Sequence, residues 1–65
     1  MKHNIGDIVN VCPVSKKAKS RIGMMRPAIV EQVNHNKIFI NFINFNYCCW
    51  TDLDGGLDWK FIQDE

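Results

Sequence analysis

Between Ile38 and Cys49 apolar residues recur at every second position and then change phase. Ile38, Ile40 and Phe42 occupy even positions, whereas Ile43, Phe45, Tyr47 and Cys49 occupy odd ones. Alternation with period two turns one face of a strand toward a core. A change of phase requires a bulge, bend or turn, expected here at residues 43–46. The flanking sequence reads as further short strands. Gly6-Asp7 opens one in which Ile8, Val9 and Val11 are β-branched, and Pro13 ends it. Pro27 starts a second, which runs through Val30 to Val33. Asn34-His35-Asn36 then turns it back into Lys37-Ile38-Phe39-Ile40-Asn41-Phe42, since Asn tolerates left-handed backbone angles. A fourth strand is expected at about residues 47–51. Asp52-Leu53-Asp54-Gly55-Gly56 reads as a tight turn or a single 3₁₀ turn, and a last strand over residues 57–62 places Leu57, Trp59 and Phe61 on one face. Residues 14–25 are mostly charged or small and show no apolar helical face, so they read as a long basic loop. The expectation is one mainly β domain over residues 1–65, with five antiparallel strands and a long loop after the first.

Length limits what such a domain can do. A chain of 65 residues, 46% hydrophobic, has material for one small core. At this size only about 60% of the unfolded surface is buried, which excludes a two-domain enzyme with a lid or a dinucleotide fold. Apolar runs are far too short to span a membrane, and the amino terminus lacks the apolar core of a signal peptide. Cys12, Cys48 and Cys49 are odd in number, and the adjacent pair points to opposite faces of a strand. Neither a disulfide nor a shared metal is expected, and a reducing cytoplasm is the expected setting. His3 and His35 have no ligand-like spacing to each other or to the cysteines, so no metal and no cofactor is expected.

Net charge is only +1, but it is unevenly placed. Residues 1–37 hold seven Lys/Arg against Asp7 and Glu31. Residues 38–65 hold Lys60 against Asp52, Asp54, Asp58, Asp64 and Glu65.

Two resemblances follow from these residues. Gly6-Asp7-Ile8-Val9-x-Val11, a loop, and then Arg26-Pro27-Ala28-Ile29-Val30 resembles the opening of the MazF/PemK toxin ribonucleases, over residues 5–33 only. That resemblance implies a phosphate-stabilising role for Arg26. The loop before it supplies no carboxylate or histidine as general base, so an active ribonuclease is not expected. Over nearly the whole length the strand pattern, with Phe39-Ile40-Asn41-Phe42, Trp50 and Leu57-Asp58-Trp59, resembles an SH3-like barrel module of the Tudor, PWWP or KOW kind. A Tudor-like module implies a methyl-ammonium cage, for which Tyr47, Trp50 and Asp52 are the candidates.

The leading expectation is a non-catalytic adaptor or inhibitor, of a size common among phage and mobile-element proteins. It docks on a protein through an aromatic edge (Phe42, Phe45, Tyr47, Trp50) and an acidic turn (Asp52, Asp54, Asp58), because the phase change exposes one or two of the rings near residues 42–47. A homodimer is the other use of that edge. The alternative is RNA or DNA binding, in which Lys16, Lys17, Lys19, Arg21 and Arg26 contact phosphates. A degenerate toxin-like ribonuclease ranks third.

Overall fold

The computed structural model describes residues 3–62. Lys2, Asp64 and Glu65, which contribute to the charge asymmetry, lie outside them. The chain runs β1 (Ile8–Pro13), α1 (Lys16–Ile22), β2 (Arg26–Val33), β3 (Lys37–Phe42), β4 (Cys48–Asp52) and β5 (Trp59–Ile62). All strand pairings are antiparallel, in the order β4-β3-β2-β1-β5, and the sheet curls into a half-barrel compatible with an SH3-like barrel.

Alternation accounts for the core. Val9 and Val11 of β1, Ala28 and Val30 of β2, and Ile38, Ile40 and Phe42 of β3 all point to the concave side and are buried. The phase change expected at residues 43–46 is the turn between β3 and β4. Asn44 there has φ 59°, the only left-handed non-glycine residue among those described. The hairpin at Asn34-His35-Asn36 closes without a left-handed asparagine. Asn34 Oδ1 accepts from His35 N at 2.7 Å, and Asn34 N donates to Lys37 O at 2.8 Å. A bulge not expected from the sequence sits in β2. Val30 opposes Ile40 and Gln32 opposes Phe39, so Glu31 is the extra residue. Bulges increase local bend and twist, and past this point β2 is exposed.

Residues 16–22 are not a loop. They form α1, whose apolar face is only the i, i+4 pair Ala18 and Ile22, both buried. Packing of that pair, not propensity, holds so short a helix. Its ends are capped from the sequence. Ser15 Oγ accepts from Ala18 N at 3.0 Å, and Gly23, at φ 77°, donates its N–H to Lys19 O. Ser15 Oγ also donates to Asp58 Oδ1 at 2.6 Å, tying the helix to the turn before β5. Ser15→Ala removes both bonds, and a loss of about 1–2 kcal/mol is expected. Urea denaturation should show a lower midpoint at unchanged slope.

The last strand is shorter than the alternation suggests. Gly55 N donates to Asp52 O and Trp59 N to Gly55 O, which keeps the chain in turns up to Trp59. Leu57 is therefore outside β5 and 92% exposed, whereas Trp59 is buried and Phe61 partly so.

Candidate functional site

Burial of Ala18 and Ile22 fixes the outward face of α1. At 100° per residue, Lys16, Lys17, Lys19 and Arg21 fan out over the rest of the helix, and all four are exposed. Lys19 and Arg21 in the last turn also complement the helix dipole. Among the described residues the only ion pair is Lys37–Asp52, at 2.6 Å. The four helix cations thus stand together without a contact carboxylate.

Lys17 and Arg21, one turn apart, line a cleft of about 220 Å³ together with Tyr47, Cys49, Trp50, Asp58 and Trp59. Burial pushes the Tyr47 hydroxyl above its ordinary value; Cys49 adds to this and the Arg21 guanidinium opposes it. The Cys49 thiol is also pushed up, by burial first, against a hydrogen bond from Tyr47 that lowers it. A raised thiol keeps its proton longer in the folded state, so stability falls as pH rises above the ordinary value of 9.0. Labelling with a maleimide at pH near 8 is expected to modify exposed Cys48 first and Cys49 much more slowly. Equal rates would contradict the assigned burial.

Arg26 differs from the helix cations. Its Nε donates to Ile22 O at 2.7 Å, and its Cζ lies 3.9 Å from the centroid of the Phe45 ring. The guanidinium therefore clamps the end of α1 to the turn after β3, through a hydrogen bond and a cation–π contact. The expected row of five phosphate-contacting cations resolves into four on the helix and one engaged within the fold.

The expected aromatic edge is divided by the sheet. Phe42 is only 4% exposed and packs against Phe45, Tyr47 and Trp59 at centroid distances of 6.4, 5.9 and 6.0 Å. Phe45, Tyr47 and Ile43 are half-buried, so the phase change exposes none of these side chains fully. Trp50, at the opposite parity in β4, lies on the convex side against Phe39 at 5.4 Å and is 46% exposed. Tyr47 and Trp50 both border the cleft beside α1, but Asp52 lines a different cleft and is paired with Lys37, so the three do not form a cage.

The acidic turn is likewise distributed. Asp52 pairs with Lys37, Asp54 Oδ1 accepts from Gly56 N at 3.0 Å, and Asp58 accepts from Ser15. Each carboxylate caps, pairs or closes a turn.

His3, which sequence patterns leave isolated, is a part of the packing. It is 6% exposed, its ring meets Phe61 edge-on at 5.5 Å, and its Nε2 donates to Leu53 O at 3.1 Å. It lines two open clefts of about 540 and 490 Å³. Among the described residues no group of three or more His, Cys, Asp or Glu is placed to hold a metal ion, and no helix is long and apolar enough to cross a membrane.

Comparison with models of protein families, with curated proteins and with solved structures gives no match to this chain. The molecule is therefore placed by its own sheet, as a small β protein with a curled five-stranded half-barrel and a cationic helix after the first strand.

Proposed function

We propose that this protein is a non-catalytic binding module that contacts the phosphate backbone of a nucleic acid through α1. The observation that carries this reading is the set of four exposed cations on one short helix, none of them in an ion pair among the described residues. Phosphate contacts by Lys and Arg supply affinity without requiring a formed pocket or sequence readout. Tyr47, in the cleft beside Lys17 and Arg21, offers a half-buried ring on which an unpaired base can stack, which favours a single strand over a duplex. Fluorescence anisotropy with a labelled single-stranded RNA at low salt tests this. Saturable binding that weakens in Lys17→Ala/Arg21→Ala is expected, and no binding at low salt contradicts it.

A second reading, docking on a protein, is favoured by Trp50. It is a large ring left nearly half exposed on the edge strand β4, and such rings dominate protein interfaces. The acidic half of the expected docking surface lends it little, since Asp52, Asp54 and Asp58 are engaged within the fold. Recovery of a defined protein from extract by the wild type but not by Trp50→Ala supports this reading; equal recovery by both removes it.

A further inference from the structure

The cleft beside α1 holds charges of both signs that do not close on one another. Lys17 and Arg21 line it from the helix and Asp58 from the turn before β5, yet the only ion pair among the described residues is Lys37–Asp52. The rings of Tyr47, Trp50 and Trp59 also line it. At about 220 Å³ it is smaller than the roughly 300–1,000 Å³ that enclose a whole small molecule, and its size suits a single base with sugar and phosphate outside.

Asp58 is the group that phosphate binding leaves unexplained. Among the described residues it is the sole carboxylate lining the cleft, and a carboxylate repels phosphate. Its Oδ1 accepts from Ser15 Oγ at 2.6 Å, which holds the side chain in place, while Oδ2 has no hydrogen-bond partner among the described residues. An ionised carboxylate only accepts, and each oxygen has more than one lone pair. Whatever meets Asp58 in this cleft must therefore donate. We propose that the cleft takes a guanine of the bound single strand, with its N1–H and N2–H₂ donating to the Asp58 carboxylate. This rests on the reading of α1 as a nucleic-acid contact and adds base selection to it. Of the four RNA bases only guanine presents two adjacent donors on its Watson–Crick edge. Adenine and cytosine offer one amino group beside an unprotonated ring nitrogen, and uracil offers one N–H between two carbonyls. In each of these a lone pair faces the second carboxylate oxygen. Guanine O6, next to N1, is an acceptor, for which Lys17 and Arg21 supply donors in the same cleft. A purine also gives Tyr47 a larger face for stacking than a pyrimidine does.

Fluorescence anisotropy at one low salt concentration, with three labelled RNA strands, is the test. One strand is oligoadenylate, the second has a single central guanine, and the third has inosine there, which lacks the N2 amino group. The guanine strand should bind at least about fivefold more tightly than oligoadenylate, with the inosine strand between them. Asp58→Asn keeps an oxygen for the Ser15 hydroxyl but turns the other into an NH₂ group that meets the guanine donors, so the guanine and adenine strands should then bind equally. Circular dichroism establishes that this variant is folded, and the inosine comparison needs no variant. Free guanosine monophosphate, which lacks the neighbouring phosphates, should compete only weakly; competition at the affinity of the strand would make the free nucleotide the ligand and overturn the assignment to a strand. Equal binding of the three strands by the wild type, or a guanine preference that Asp58→Asn retains, overturns the proposal while the phosphate reading stands. Binding of no strand overturns both.

Discussion

Gly55→Ala is expected to leave most of the chain unfolded at room temperature. Gly55 has φ 92°, and a Cβ there would lie 2.3 Å from Trp59 O and 2.8 Å from Trp59 C. Both are backbone atoms, so no rotamer change relieves the overlap. The turn cannot open freely either, because Trp59 N donates to Gly55 O and the Trp59 ring packs against Phe42 and Tyr47. Backbone strain alone costs about 1–3 kcal/mol, and the overlap adds to it. A core of this size rarely supplies more than about 3–5 kcal/mol, so the sum reaches the whole stability of the domain. Gly23→Ala is the control. Its φ is 77° but a Cβ would meet nothing within 4 Å, so it should cost only the backbone strain of about 1–3 kcal/mol. Far-ultraviolet circular dichroism and tryptophan emission distinguish the two. A wild-type midpoint for Gly55→Ala would contradict the packing assigned to the turn before β5.

Neutralising α1 has the largest expected effect on binding. Lys16, Lys17, Lys19 and Arg21 are exposed, and alanine is the best helix former, so replacing all four with alanine should keep the helix capped by Ser15 and Gly23. Four single-strand phosphate contacts correspond to about 10²–10³ in affinity at 0.1 M salt, and that factor should be lost. Arg26→Ala should behave in the opposite way. Its guanidinium is engaged with Ile22 O and Phe45, so stability should fall while affinity for a single strand changes little. Loss of binding in Arg26→Ala with unchanged stability would return Arg26 to the phosphate-contacting set.

The strands were legible because a two-residue period survives in short segments. Ile38, Ile40 and Phe42 declare their face, and the shift to Ile43 and Phe45 marks the turn that reverses the chain. The same parity separates Trp50 from Tyr47 and Cys49, so the division of the aromatic residues between two faces was present in the sequence. Grouping them by proximity along the chain obscured it. Helix α1 was harder to read, since seven residues allow only Ala18 and Ile22 on the buried side. Its markers were the flanking Ser15 and Gly23, not a periodic stripe. The duties of the carboxylates were not legible at all. Asp58 meets Ser15 across 43 positions and Asp52 meets Lys37 across 15, and such pairings arise only once the sheet has curled. The buried place of His3, set by Leu53 and Phe61 from the far end of the chain, has the same origin.

The central claim is that α1 supplies the phosphate contacts, and it is tested most directly by the salt dependence of binding. Affinity for a labelled single strand should be measured from low to physiological salt for the wild type and the four-fold alanine variant. For four contacts, log affinity against log salt should have a slope of about −2.8, with the variant near zero. A wild-type slope near zero, or one that the variant leaves unchanged, would contradict it.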